Sequence, residues 1–154
     1  MLIREVLVPA ELPLVRALFE EYAAGLDVDL CCQGFAEELA GLPGRYAAPF
    51  GGLWIAVDHG HAVGCVALRP LDQGVCEIKR LYLRPEARGT GVGRRLVETV
   101  LTHATAQGHR RVCLDTLPSM TGAIALYRTL GFAKIAPYYD SSIAGMLFFE
   151  RKLR

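Results

Sequence analysis

Residues 81–94 read Leu81-Tyr82-Leu83-Arg84-Pro85-Glu86-Ala87-Arg88-Gly89-Thr90-Gly91-Val92-Gly93-Arg94. An apolar, strand-like run comes first, a proline breaks it, and a glycine-rich turn leads into residues with helical spacing. Val92, Leu96, Val97, Val100, Leu101 and Ala104 form one apolar stripe, which predicts a helix from Gly91 to about Gln107. Glycines between a strand and a helix let the backbone turn tightly and come close to a ligand. The unpaired amides of the first helical turn, at the positive end of the helix dipole, attract an anion. A phosphate-bearing ligand is therefore expected at Gly89–Arg94.

Two common phosphate motifs fit poorly. The dinucleotide fingerprint needs a third glycine where Arg94 stands, and only Asp115 loosely meets its acidic requirement. The nucleotide P-loop needs a lysine that this segment lacks. A nucleotide-binding α/β domain is thus disfavoured but not excluded by these residues.

Working outward, Leu2 to Leu7 reads as a strand, and Leu14, Val15, Leu18, Phe19 and Tyr22 as one face of a helix ending near Gly25. Phe35 to Leu42 reads as a second helix and Arg45 to Gly52 as a loop. Leu53–Val57 and Ala62–Leu68 form a hairpin, a turn spans Pro70 to Gly74, and Val75–Leu83 is the third strand of the meander. Beyond the long helix come a strand at Arg110–Asp115, a helix at Ala123–Leu130 and strands near Ala133–Ala136 and Gly145–Arg151. The expected fold class is α/β, with one mixed, mostly antiparallel central sheet flanked by helices.

The 154 residues suit a single domain, and 52% of them are hydrophobic, enough for a full core. A net charge of +1 argues against a nucleic-acid backbone binder and shows no preference for a strongly charged macromolecule. The five cysteines include no C-x-x-C pair, so neither a disulfide framework nor a zinc site is expected; Cys65, Cys76 and Cys113 read as small core residues, and Cys31-Cys32 as helix-lead packing. His59-Gly60-His61 sits in a hairpin turn with no third ligand in view, so no metal is expected. The N-terminal residues carry an Arg4–Glu5 charge pair where a signal peptide would be apolar, and no apolar run approaches the ~20 residues of a membrane span. A cytoplasmic location is the expectation.

The pattern Arg88-x-x-Gly91-x-Gly93, the preceding Leu81–Pro85, and Ala123-Ile124-Ala125-Leu126-Tyr127-Arg128-Thr129-Leu130-Gly131-Phe132 downstream together resemble the core of the GCN5-related N-acetyltransferase (GNAT) family. The resemblance covers nearly the whole chain, so residues 1–154 are expected to form one N-acetyltransferase domain. It implies acetyl-CoA as co-substrate, with the amides of Gly89, Thr90, Gly91, Val92, Gly93 and Arg94 on the pyrophosphate. It also implies that Leu81, Tyr82 and Leu83 pair with the pantetheine arm like an added strand, one amide facing the thioester carbonyl, with Tyr127 near the sulfur as general acid. Many relatives carry asparagine where this chain has Met120; Ser119 and Thr121 are the available substitutes for that amide's contacts.

An alkyl ammonium is only ~0.04% neutral at pH 7, so transfer to an amine needs a base. Strand alternation would place Glu77 on one face with Val75, Lys79 and Leu81, making Glu77 the first candidate, ahead of Asp115 and Asp140. The acceptor regions offer Gln33, Phe35, Glu37, Tyr46, Tyr138, Tyr139 and Asp140, each of which reads more readily as an ordinary packing or rim residue than as a recognition group. A small-molecule amine is the expected acceptor, ahead of a protein N-terminus or lysine. The competing reading is a GNAT-fold module that binds acyl-CoA as a sensor without turnover. The strand Met146-Leu147-Phe148-Phe149 suggests pairing across a homodimer.

Overall fold

The structure, a computed structural model, describes residues 1–30 and 34–153. Cys31, Cys32 and Gln33, to which the sequence reading gave packing and acceptor roles, lie outside the described residues. Seven strands form one sheet in the order β1-β2-β3-β4-β5-β7-β6. They are β1 Leu2–Glu5, β2 Gly52–Asp58, β3 His61–Asp72, β4 Val75–Leu83, β5 Arg111–Thr116, β6 Ala133–Ile135 and β7 Leu147–Lys152. Every pairing is antiparallel except β4–β5. The helices are α1 Leu12–Ala24, α2 Phe35–Ala40, α3 Val92–Ala106 and α4 Thr121–Thr129.

The two-residue alternation of the strands divides the core between the two faces. Trp54, Ala56, Val66, Leu68, Cys76 and Ile78 face the long helix, where Leu96, Val97, Val100 and Ala104 are completely buried. Leu53, Ile55, Cys65 and Ala67 face α1, whose Val15, Leu18 and Phe19 cover them. Cys65, Cys76 and Cys113 are free thiols inside the sheet, as the sequence suggested, and burial pushes each up to about 12. At neutral pH they are uncharged packing groups.

The structure departs from the sequence expectation in three places. The hairpin strand β3 runs on through Pro70 to Asp72, pairing with Val75–Cys76 across a register shift where a turn was expected. A short 3-10 helix, Gly44–Tyr46, lies within the expected loop and inserts Tyr46 beside Phe19. Strand β7 lies between β5 and β6, so both of its hydrogen-bonding edges are occupied. That overturns the expected dimer pairing through Met146–Phe149: the edge strands of this sheet are β1 and β6.

The loop from β1 into α1 is fixed by charge. Both guanidinium nitrogens of Arg4 donate to Glu11, at 2.8 and 2.7 Å, and Leu7 N–H donates to the same carboxylate at 2.8 Å. The Arg4 hydrogen bonds, with help from the Leu7 amide, bring the Glu11 carboxyl down to about 2 from its ordinary 4.5. A depressed acid stabilises the fold above its unfolded pKa, and that contribution is lost as pH falls through the folded value. Wild type should therefore lose stability between pH 4.5 and 2 more steeply than Glu11→Gln, as read by urea midpoints across that window.

Candidate active site

Strands β4 and β5 run parallel, but only Val75–Glu77 pair with Arg111–Cys113. Beyond Glu77 the strands part, so residues 78–83 of β4 have no strand partner on that side among the described residues. The parting coincides with a bulge. Cys65 faces Tyr82 while Ala67 faces Lys79, so Arg80 and Leu81 together oppose Val66. Arg80 takes φ +59, a left-handed conformation that side chains other than glycine's disfavour.

A bulge adds one residue to one strand, so it inverts the alternation beyond it. Glu77 and Lys79 lie on the α1–α2 face, and Arg80 and Tyr82 continue that face. Leu81 and Leu83 pack with Cys76 and Ile78 in the α3–α4 core. The expectation that Glu77 shares a face with Leu81 is therefore corrected: the bulge puts them on opposite sides of the sheet.

The opening between β4 and β5 leads into a groove of about 840 Å3. Of the ten residues expected to hold the coenzyme, all but Thr90 and Val92 line it. The Thr90 hydroxyl turns back to Ala87 O, and the Val92 side chain is buried in the core. Gly89 and Gly91 have φ of +74 and +85, and a Cβ at either would meet nothing within 4 Å. Glycine is needed there for its backbone conformation, and the space left beside each is open to a ligand. The first α3 bond runs from Arg95 N–H to Gly91 O at 3.2 Å, leaving the amides of Val92, Gly93 and Arg94 without intrahelical acceptors. Arg88 and Arg94 add positive charge to the groove, and Arg88 Nε also caps Leu83 O at 3.1 Å.

These features suit a phosphorylated ligand with a long flexible arm. Free amides and two arginines offer partners to phosphates, and the unpaired edge of β4 offers partners to an extended arm. Ser119 and Thr121, the named substitutes for asparagine, both line the groove, as does Met120.

On the α1–α2 face, beneath the connection from β6 to β7, lies a set of buried ion pairs. Arg69 Nε is 2.8 Å from Glu77, Lys79 Nζ is 3.3 Å from Asp115, and Arg80 is 2.7 Å from Glu38. Tyr138 donates to Glu77 and Tyr139 to Asp115, while their rings stack at 5.4 Å with Phe148 edge-on to both. Each cation matches an anion, so the layer is neutral as a whole.

Asp115 lines two small cavities of about 20 Å3 each, one walled by Met120 and Tyr127, the other by Leu30 and Met146. Glu77 is only 1% exposed and lines none of these spaces. Asp140 and Glu37 are exposed at the surface. Phe35 lies under the Arg80 guanidinium at 5.2 Å, and Tyr46 is buried against Phe19. The expected acceptor aromatics thus brace the ionic layer and the core and do not line the cavities.

Tyr127 is 5% exposed and lines the cavity beside Met120 and Leu81. Burial, more than its neighbours Tyr22 and Asp115, raises its phenol pKa well above the ordinary 10. One residue that sequence reasoning passed over is Tyr22, which lines the groove and both small cavities. Its helical spacing marked it only as part of the α1 apolar stripe. Among the described residues there is no cluster of three or more metal-ligating side chains, and no helix is long and apolar enough to cross a membrane.

Comparison with known proteins agrees with this geometry. The model of the acetyltransferase (GNAT) family matches residues 16–132. An uncharacterized N-acetyltransferase of Schizosaccharomyces pombe is 36% identical over 153 residues, covering 98% of this chain and 94% of its own. An IAA acetyltransferase of Azospirillum brasilense is 39% identical over 85 residues, 54% of this chain and 56% of that one. A phosphinothricin acetyltransferase of Sinorhizobium meliloti, solved with acetyl-CoA, superposes with a TM-score of 0.75 at 21% identity, covering 99% of this chain and 88% of that one. The fold and groove define a CoA-dependent acyltransferase. The chain belongs to the GNAT family of acetyltransferases, with acetyl-CoA as the acyl donor.

The bulge depends on Glu38. Removing that carboxylate strands a buried guanidinium, a change that costs about 3–5 kcal/mol. Glu38→Ala should show that loss in urea unfolding. Adding Arg80→Gly should recover much of it, because the stranded charge disappears and glycine accepts the left-handed backbone.

Proposed function

We propose that the chain is a single N-acetyltransferase domain that moves the acetyl group of acetyl-CoA directly to a primary amine of a small molecule. The observation that carries this reading is a wall shared by three spaces. The coenzyme groove, the cavity beside Tyr127 and the cavity beneath Leu30 and Met146 share Tyr22 as a common wall. Donor and acceptor can thus meet at the parting of β4 and β5 from opposite sides. The net charge of +1 favours an uncharged or singly charged acceptor over a strongly charged macromolecule. Relatives named for IAA and phosphinothricin support the same class.

The coenzyme supplies an activated acetyl thioester. The amides of β4 at Leu81–Leu83 orient it and offer a hydrogen bond where charge develops on the carbonyl oxygen, an arrangement commonly worth a few kcal/mol. Tyr127 presents its hydroxyl, which has no partner among the described residues, to the departing sulfur. A phenol with a raised pKa stays protonated, and the same burial raises the basicity of a thiolate formed beside it, so the proton transfer stays matched.

Asp115, placed on both small cavities, takes the base role that the sequence alone gave first to Glu77. Glu77 lies behind it, where it holds Tyr138 against Tyr139 and so positions Asp115.

Tyr127→Phe should lower kcat by about 10- to 100-fold while acetyl-CoA affinity, measured by calorimetry, changes less than about threefold. Loss of both together would remove the acid role. With an amine found by screening for free thiol release, Asp115→Asn should lower kcat by about 100-fold or more, whereas Glu77→Gln should lower it by less than about tenfold. The reverse pattern would return the base to Glu77.

A further inference from the structure

The walls of the groove include Tyr22, Leu81 and Met120. The same three residues wall the cavity beside Tyr127, whose other sides are Ile78, Thr116 and the charged residues Lys79, Arg80 and Asp115. A ligand arm that starts with its phosphates on the Gly89–Arg94 amides and follows the free edge of β4 therefore arrives at this cavity. Its volume is about 20 Å3. A single water-sized group needs roughly 10–15 Å3 of such space. The cavity thus holds one methyl-sized group and no more.

Most of its wall is fixed. Ile78 and Leu81 belong to the sheet and its bulge, and Tyr127 is packed against Phe132 at 5.6 Å. Met120 is the wall contributed by a loop, and it is held at three points. Its N–H donates to Leu117 O at 3.0 Å, its carbonyl accepts from Ile124 N–H at 3.0 Å, and the Thr116 hydroxyl lies 3.6 Å from its sulfur. The backbone bonds fix where the side chain starts, and the Thr116 contact favours the rotamer that closes the cavity.

We propose that Met120 determines the acyl chain this enzyme accepts: the cavity it closes admits the methyl of an acetyl group and excludes longer chains. The inference rests on the acetyltransferase reading above, and it adds a specificity-determining role for a residue that departs from the asparagine common at this position in the resembled family. A surplus methylene has no room in a cavity of about 20 Å3, and Lys79, Arg80 and Asp115 offer it no apolar partner, so a longer chain loses affinity. Shortening Met120 removes the thioether arm and joins the cavity to the groove. Leucine, of similar volume, keeps the wall; phenylalanine fills the cavity itself.

The test is calorimetric titration of the full chain with CoA, acetyl-CoA and butyryl-CoA, with folding of each variant confirmed by circular dichroism. Wild type should bind butyryl-CoA at least about tenfold more weakly than acetyl-CoA. Met120→Ala should bring the two within about threefold, Met120→Leu should keep the wild-type ratio, and Met120→Phe should weaken acetyl-CoA relative to free CoA. Equal binding of both acyl forms by wild type, or an unchanged ratio in Met120→Ala, overturns the proposal while leaving the acetyltransferase reading intact. Failure of wild type to bind any of the three ligands, free CoA included, overturns both.

Discussion

The buried pair between Arg80 and Glu38 is the interaction on which the site depends. Two hydrogen bonds, 2.7 and 3.0 Å, hold a guanidinium that is 4% exposed, with the rings of Tyr22 and Phe35 nearby. Burial by itself would lower the Arg80 pKa, but Glu38 more than reverses this, so the cation is secure. That pair sits on the one strand residue with left-handed backbone, a conformation costing on the order of 1–3 kcal/mol that persists only where its surroundings over-determine it. The bulge it stabilises shifts the pleat by one residue. Lys79 and Arg80 then lie on the same face, and Leu81 passes to the other.

That shift accounts for both halves of the site. On the α3–α4 side it brings Leu81 and Leu83 to the groove that the glycine loop serves. On the α1–α2 side it gathers the cations Arg69, Lys79 and Arg80 with their three carboxylate partners. Burying a single charge would be prohibitive, but a neutral set with its remaining lone pairs taken by Tyr138 and Tyr139 is tolerable. The parting of β4 from β5 beyond Glu77 connects the two sides.

Much of this was legible in the residues. The apolar stripe of α3, the glycines before it and the Tyr127–Phe132 segment marked the groove side of the sheet, because helix periodicity, positive φ and close backbone approach are local requirements that leave local signatures. The face of Leu81 was not legible, because alternation from Val75 assumes an uninterrupted pleat and no residue type announces a bulge occupied by arginine. The sequence did not separate recognition from packing roles on the acceptor side, for a related reason. Tyr138 and Tyr139 look like recognition aromatics in sequence, but their hydroxyls meet carboxylates on β4 and β5 that are 61 and 24 residues away along the chain.

The sequence by itself determined the mixed α/β architecture, the glycine turn before α3 and the family. Each of these is encoded by periodicity or by conformational limits acting over a few residues. Tertiary structure decided which carboxylate faces the cleft, that Tyr22 walls all three spaces, that Met120 joins Tyr127 in walling one of the small cavities, and that β7 is an interior strand. Those facts depend on contacts between residues distant in the chain, whose partners are chosen only when the sheet closes around its bulge.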